Sequence, residues 1–146
     1  STNREAKKRR TAGVAMRRKG PMMKKVIFTE NAPAPIGPYS QAILVDNMLY
    51  CSGQIPLDAV SGEIQGKDVE SQTEKVCANI KAVLAAAGMT FEHVVKTTCF
   101  LADMGDFVPF NQVYAKYFVS NPARSTVAVK TLPKNVLVEI EVIASK

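Results

Sequence analysis

The hydrophobic pattern changes period several times along the chain, and those changes mark out its elements. Residues 26–29 form a short β-branched and aromatic run that reads as a first strand. Residues 31–38 hold three prolines and Gly37 and predict an irregular loop. Residues 41–45 and 48–52 are strand-like and are joined by Asp46-Asn47, a tight-turn signal. Turn formers (Pro56, Asp58, Ser61, Gly62) then dominate residues 53–66. Beyond them Val69, Val76, Ile80, Val83, Leu84 and Ala87 fall at helical spacing, with Asp68 as N-cap and Gly88 as stop. Residues 94–101 are again strand-like. A second helix opens at residues 103–106 and presents Phe107, Phe110, Val113, Tyr114, Tyr117 and Phe118 on one face. Pro109 is tolerated in its first turn, and Asn121-Pro122 ends it. Residues 125–131 and 136–145 read as strands around a turn at residues 132–135.

The order is therefore β-ββ-α-β-α-ββ, which predicts a single α+β domain with one sheet and two helices on one face. In the last strand Val136, Val138, Ile140 and Val142 alternate with Leu137, Glu139, Glu141 and Ile143. The second face is thus half apolar, and no third helix is available to cover it. Such a face predicts burial against another copy of the chain, a homo-oligomer.

Charge is divided unevenly. Residues 1–20 hold eight basic side chains against Glu5 alone, a net of +7, while the other 126 residues hold 11 basic and 12 acidic groups, a net of −1. The basic balance belongs to a tail, so residues 1–22 read as a basic extension or tag outside the fold, and residues 23–146 as the domain. A targeting leader or a basic arm for RNA are the other readings of that tail. The domain itself lacks a basic stripe, and nucleic acid is not the expected partner. The longest apolar run, residues 82–89, is far too short to cross a bilayer as a helix, and no membrane association is expected.

Cys51, Cys77 and Cys99 are widely spaced, odd in number and embedded in apolar stretches, as for reduced thiols in a cytoplasmic protein. The single histidine, His93, reads as a surface turn residue. No ligands stand at zinc spacing, and no nucleophile motif surrounds any serine or cysteine. The stretch 62–68 mimics a phosphate loop but has one residue too few between its glycines, and Asp68 where Ser or Thr is needed. Metal, nucleotide and histidine chemistry are all disfavoured.

Glu139 and Glu141 stand out, because carboxylates in so apolar a strand cost free energy unless paired or used. They are either salt-bridged interface charges or chemically active groups. Arg124, just after Asn121-Pro122-Ala123, is either a surface arginine or a guanidinium fork for a carboxylate or phosphate. At these residues the sequence resembles a known family. Pro122-Ala123-Arg124-Ser125-Thr126-Val127, Leu132-Pro133 and Val138-Glu139-Ile140-Glu141 are similar to the signature of the RidA/YjgF/UK114 reactive-intermediate deaminases. Gly37-Pro38-Tyr39-Ser40-Gln41, Ser52-Gly53-Gln54-Ile55-Pro56 and Asn111-Gln112-Val113-Tyr114 add to the match, which runs in order over about residues 24–145.

The resemblance implies a chorismate-mutase-like fold of the bacillus type and a homotrimer whose sheets form a central barrel, with active sites between subunits. It implies hydrolysis of imines and enamines such as 2-aminoacrylate to a 2-keto acid and ammonia, with no metal or cofactor. Arg124 would hold the substrate carboxylate, and Glu139 would position water and relay a proton. Tyr39, Ser52, Gly53, Asn111 and Thr126 would contact the substrate or shape the pocket. Many relatives have Cys at the position of Thr126, so only backbone contacts carry over there. Glu141 reads as structural and interface-facing. The alternatives to the deaminase are an endoribonuclease or translation inhibitor, and a non-catalytic binder of small carboxylates.

Overall fold

The computed structural model describes residues 23–146; the basic extension assigned to residues 1–22 lies outside them. Its elements follow the expected order: β1 (Lys24–Ile27), β2 (Ala42–Val45), β3 (Met48–Cys51), α1 (Val69–Ala86), β4 (Val94–Leu101), α2 (Phe107–Tyr117), β5 (Ala123–Ala128) and β6 (Val138–Ser145). The strands form one sheet in the order β1-β2-β3-β6-β4-β5. All neighbours are antiparallel except β4 and β5, which run parallel because α2 carries the chain back between them.

Local chemistry explains both the agreements and the shifts. Helix α1 starts at Asp68 as expected: its Oδ1 accepts from Ser71 N at 2.8 Å, and Ser71 Oγ accepts from Asp68 N. Gly88, at φ +70°, follows its last turn. His93 Nδ1 accepts from Thr90 N at 2.9 Å and closes a surface turn. The first strand ends at Ile27, not 29, because Gln41 takes both Thr29 N (2.7 Å, to Oε1) and Thr29 O (3.0 Å, from Nε2). Strand β5 begins at Ala123, two residues earlier than expected, straight after Pro122, which has no N–H to enter the ladder. Arg124 is therefore a strand residue. Strand β6 begins two residues later than expected, since Leu137 N is taken by Gln72 Oε1 at 2.7 Å.

The core lies between the helices and one face of the sheet. Val76, Ile80 and Leu84 of α1 and Phe110 of α2 pack on Leu49, Cys99, Leu101, Val138, Ile140 and Val142, all buried. The alternation of β6 is as expected: Val138, Ile140, Val142 and Ala144 are buried, while Glu139, Glu141, Ile143 and Ser145 point to the other face. Among the described residues no helix covers that second face. Val26, Ile43, Tyr50 and Ile143 are successive register partners across four strands on it, and Val26 and Tyr50 remain 58% and 47% exposed.

Gln41 anchors the loop that carries Tyr39. Its Nε2 also donates to Pro33 O at 2.9 Å and Ala32 O at 3.3 Å, and it is 2% exposed. Gln41→Leu leaves these buried backbone groups unpaired and should lower stability by about 3 kcal/mol. Urea unfolding at fixed protein concentration checks this; a change under about 0.5 kcal/mol would show that the loop is held otherwise.

Candidate active site

Arg124 lies on the edge strand β5 and is the register partner of Thr97 on β4. Thr97 faces the helices and is fully buried, so the Arg124 side chain leaves the sheet on the helix-covered face. There its Nη1 donates to Asn111 Oδ1 at 2.7 Å. Its Cζ stands 4.7 Å from the centroid of the Tyr114 ring and 5.5 Å from that of Phe107. Phe107, Asn111 and Tyr114 are spaced i, i+4 and i+7, hence on one stripe of α2. A cavity of about 330 Å³ opens beside the guanidinium, lined by Asn111, Tyr114, Phe118, Asn121 and Pro122. Among the described residues Asn111 is the only hydrogen-bond partner of the Arg124 side chain, which leaves the guanidinium with unused donors in a fixed plane.

Glu139 is built differently. It pairs with Phe100 on β4, one step out of phase with the buried Cys99 and Leu101, and so points to the uncovered face. Gly53 backs onto it: a Cβ at Gly53 would fall 2.0 Å from Glu139 Oε2. The chain reaches Gly53 through an irregularity in the sheet. Between the Tyr50–Ile143 pair and the Gln54–Ile140 bridge, Cys51, Ser52 and Gly53 oppose only Glu141 and Val142, as in a β-bulge. Ser52 is pinned there by its Oγ donating to Ser40 O at 2.6 Å. Burial pushes the Glu139 carboxyl above the usual carboxylate range, and the like charge of Glu141 adds to this. Neither carboxylate has an ion-pair partner among the described residues.

Tyr39 is half exposed on its loop, with its hydroxyl near Ile36 N (3.4 Å), and lines a small cleft together with Gly53, Gln54 and Ile55. Thr126 is the register partner of Cys99 and so shares the face of Arg124, but its Oγ1 is buried and has no hydrogen-bond partner among the described residues. The structure thus brings Arg124 together with Asn111, and Glu139 together with Gly53, Ser52 lying next to Gly53 in the bulge. It does not bring Arg124 and Glu139 together: the sheet separates them. Three residues that sequence reasoning assigned to core or strand, Tyr114, Phe107 and Thr97, turn out to surround Arg124; the shared stripe with Asn111 was the available signal.

Burial pushes the Cys51 thiol up to about 12 and the Cys99 thiol up to about 11, so neither offers a thiolate nucleophile at neutral pH. Among the described residues no group of three His, Cys, Asp or Glu side chains is gathered as for a metal ion, and no helix is long and apolar enough to cross a membrane.

The family model described as Endoribonuclease L-PSP matches residues 29–146. The chain belongs to that family, the RidA/YjgF group. A RutC family protein of Pyrococcus horikoshii is 58% identical over 125 residues, covering 85% of this chain and 99% of that protein. The chloroplastic reactive intermediate deaminase A of Arabidopsis thaliana is 48% identical over 123 residues, or 84% of this chain and 66% of that protein. The crystal structure of Escherichia coli TdcF with bound serine matches with a TM-score of 0.80 at 41% identity, covering 84% of this chain and 98% of that one.

For this RidA/YjgF chain the Glu139 environment gives a direct test. Because burial penalises the charged form, Glu139 holds its proton to higher pH than a free glutamate does. A carboxyl-carbon NMR titration should find its midpoint above 4.5. Glu141→Gln should lower that midpoint without returning it to 4.5, since burial is the larger cause. A midpoint at or below 4.5 in the native chain would contradict this picture.

Proposed function

We propose that this chain hydrolyses reactive imines and enamines of the 2-aminoacrylate type to the 2-keto acid and ammonia. The observation that carries the reading is the Arg124 guanidinium, held by Asn111 against the Tyr114 ring with donors to spare. That arrangement suits a small planar carboxylate, which a guanidinium grips with two parallel charge-assisted hydrogen bonds. The serine bound to TdcF and the activity named for the Arabidopsis relative support the same substrate class.

The chemistry needs little else. The enamine tautomerises to the imine, whose C2 is already electrophilic. Water adds to C2 as the C=N electron pair moves to nitrogen, giving a carbinolamine. Its hydroxyl proton is lost, the nitrogen is protonated, the C–N bond breaks and ammonia leaves as the carbonyl forms. Glu139, partly desolvated and able to exchange a proton nearer neutrality than a free glutamate, accepts the proton from water and returns it to the departing nitrogen. Ser52 and Gly53 supply hydroxyl and backbone contacts, Tyr39 lines the cleft, and Thr126 acts through its backbone because its hydroxyl is sealed. Arg124 fixes the position of C2, so that orientation carries much of the rate. No metal, cofactor or covalent nucleophile enters the scheme.

Since the sheet separates Arg124 from Glu139 within a chain, one cleft must take the first from one copy and the second from another. The uncovered face with its apolar row supports such an assembly, and we take it to be a homotrimer of chorismate-mutase-like barrel architecture, working in a reducing cytoplasm. The family description favours a second reading, RNA cleavage. The net charge of −1 over residues 23–146, with Arg124 as their only arginine, speaks against it. RNA binding through phosphate contacts would weaken steeply with salt.

The test generates 2-aminoacrylate in situ with a serine dehydratase and follows its decay. The native chain should accelerate it. Arg124→Ala should lose about 100-fold in kcat/KM, and Glu139→Gln about 100-fold or more, mostly in kcat. Decay at the spontaneous rate with micromolar native protein would end the deaminase reading for this substrate.

A further inference from the structure

Arg124 is an edge-strand residue exposed to solvent on the isolated chain, and an exposed arginine normally samples many rotamers. Its surroundings remove that freedom. The Tyr114 ring lies under the guanidinium at 4.7 Å, with Phe107 further out at 5.5 Å. Tyr114 is itself fixed from beneath: its hydroxyl shares a buried 2.8 Å hydrogen bond with Thr97 Oγ1, and its ring stacks on Phe118 at 4.2 Å. Thr97 is fully buried on β4, the strand next to the sheet edge, and is the register partner of Arg124. The same β4 position thus sets where the Arg124 backbone leaves the sheet and where the ring that receives its guanidinium stands. Asn111, one turn away on α2, holds one nitrogen and so fixes rotation in the plane.

We propose that Tyr114 is a positioning residue for Arg124: its ring sets the plane of the guanidinium fork, and its hydrogen bond to Thr97 locks that ring to the sheet. The proposal rests on the carboxylate-binding reading of Arg124 but can be separated from it. Tyr114 touches no reacting atom; it acts through Arg124 alone. A fork in a preset plane binds a planar carboxylate without first giving up side-chain freedom, and a cation over an aromatic face keeps that preset geometry.

Two readouts test this. The first is the mobility of the Arg124 Nε–Hε group by ¹⁵N NMR relaxation. Arg124 is the only arginine in residues 23–146, so its signal is identified by its loss in Arg124→Lys. In the native chain it should be as rigid as the backbone. Tyr114→Phe and Thr97→Val keep the packing and delete one side of the buried bond, and each should loosen the signal. The double variant should loosen it no further, because both changes remove the same bond. Tyr114→Leu, which removes the ring, should make the group as mobile as a free side chain.

The second readout is kinetic. Tyr114→Leu should raise KM for 2-aminoacrylate about two- to thirty-fold, the range a cation–π contact supplies, with a smaller change in kcat. Tyr114→Phe should recover most of the loss. In an Arg124→Ala background Tyr114→Leu should change kcat/KM by less than about twofold.

A rigid Arg124 signal in folded Tyr114→Leu, or in Tyr114→Phe if the leucine variant does not fold, would overturn the proposal. So would a Tyr114→Leu loss that persists undiminished without Arg124, since that is the mark of a merely structural role. If the native chain leaves 2-aminoacrylate untouched, the deaminase reading fails, and the NMR arm alone still decides whether Tyr114 orders the guanidinium.

Discussion

Side chains along a strand alternate between the two faces of a sheet, and the register of β4 with its two neighbours turns that rule into a constraint on the whole site. Thr97 pairs with Arg124 on one side of β4, and Phe100 pairs with Glu139 on the other. Thr97 and Phe100 are an odd number of residues apart, so their partners leave the sheet in opposite directions. A one-residue slip of β6 against β4 would undo the sorting and also expose Val138, Ile140 and Val142, whose burial holds the helices on the sheet. Glu139 therefore cannot be moved to the face of Arg124 without losing the core.

The surroundings of each group are then set by the face it occupies. On the helix-covered side α2 supplies Phe107, Asn111 and Tyr114 from one stripe, enough to orient a guanidinium that keeps free donors. On the uncovered side no helix among the described residues supplies partners. Glu139 is flanked by Gly53, which leaves room for its carboxylate, and by the like charge of Glu141. A carboxylate left this way is destabilised in its charged form, which suits proton exchange and makes a poor structural ion pair. The arginine has neighbours that orient it and the glutamate has none that neutralise it, a difference that follows from which face has a cover.

Much of this was legible in the sequence because it depends on short-range patterns. The alternation in β6, the helical period from Val69 to Leu84 and the Asp68 cap are local, and all agree with the structure. Arg124, Glu139, Asn111 and Gly53 were recognisable as candidates through resemblance to a family. What was not legible is long-range. Thr29 leaves its strand because Gln41, twelve residues on, claims its backbone, and Leu137 does so because of Gln72 on α1. Tyr114 read as a core aromatic because nothing local reveals that Thr97, seventeen residues earlier, bonds its hydroxyl. That Arg124 and Glu139 face apart follows only from the pairing of β4 with both β5 and β6.

The proposal that the site is divided between copies is most directly tested by complementation. Arg124→Ala and Glu139→Gln chains, each inactive alone, would be mixed in equal amounts, unfolded and refolded together. If every cleft draws its arginine half from one copy and its glutamate half from the next, random assembly restores about a quarter of the native sites, and activity should return to roughly that level. A mixture as inactive as its parents, in assemblies shown to contain both chains, would mean that both groups must come from one chain, and the two-copy site would be wrong.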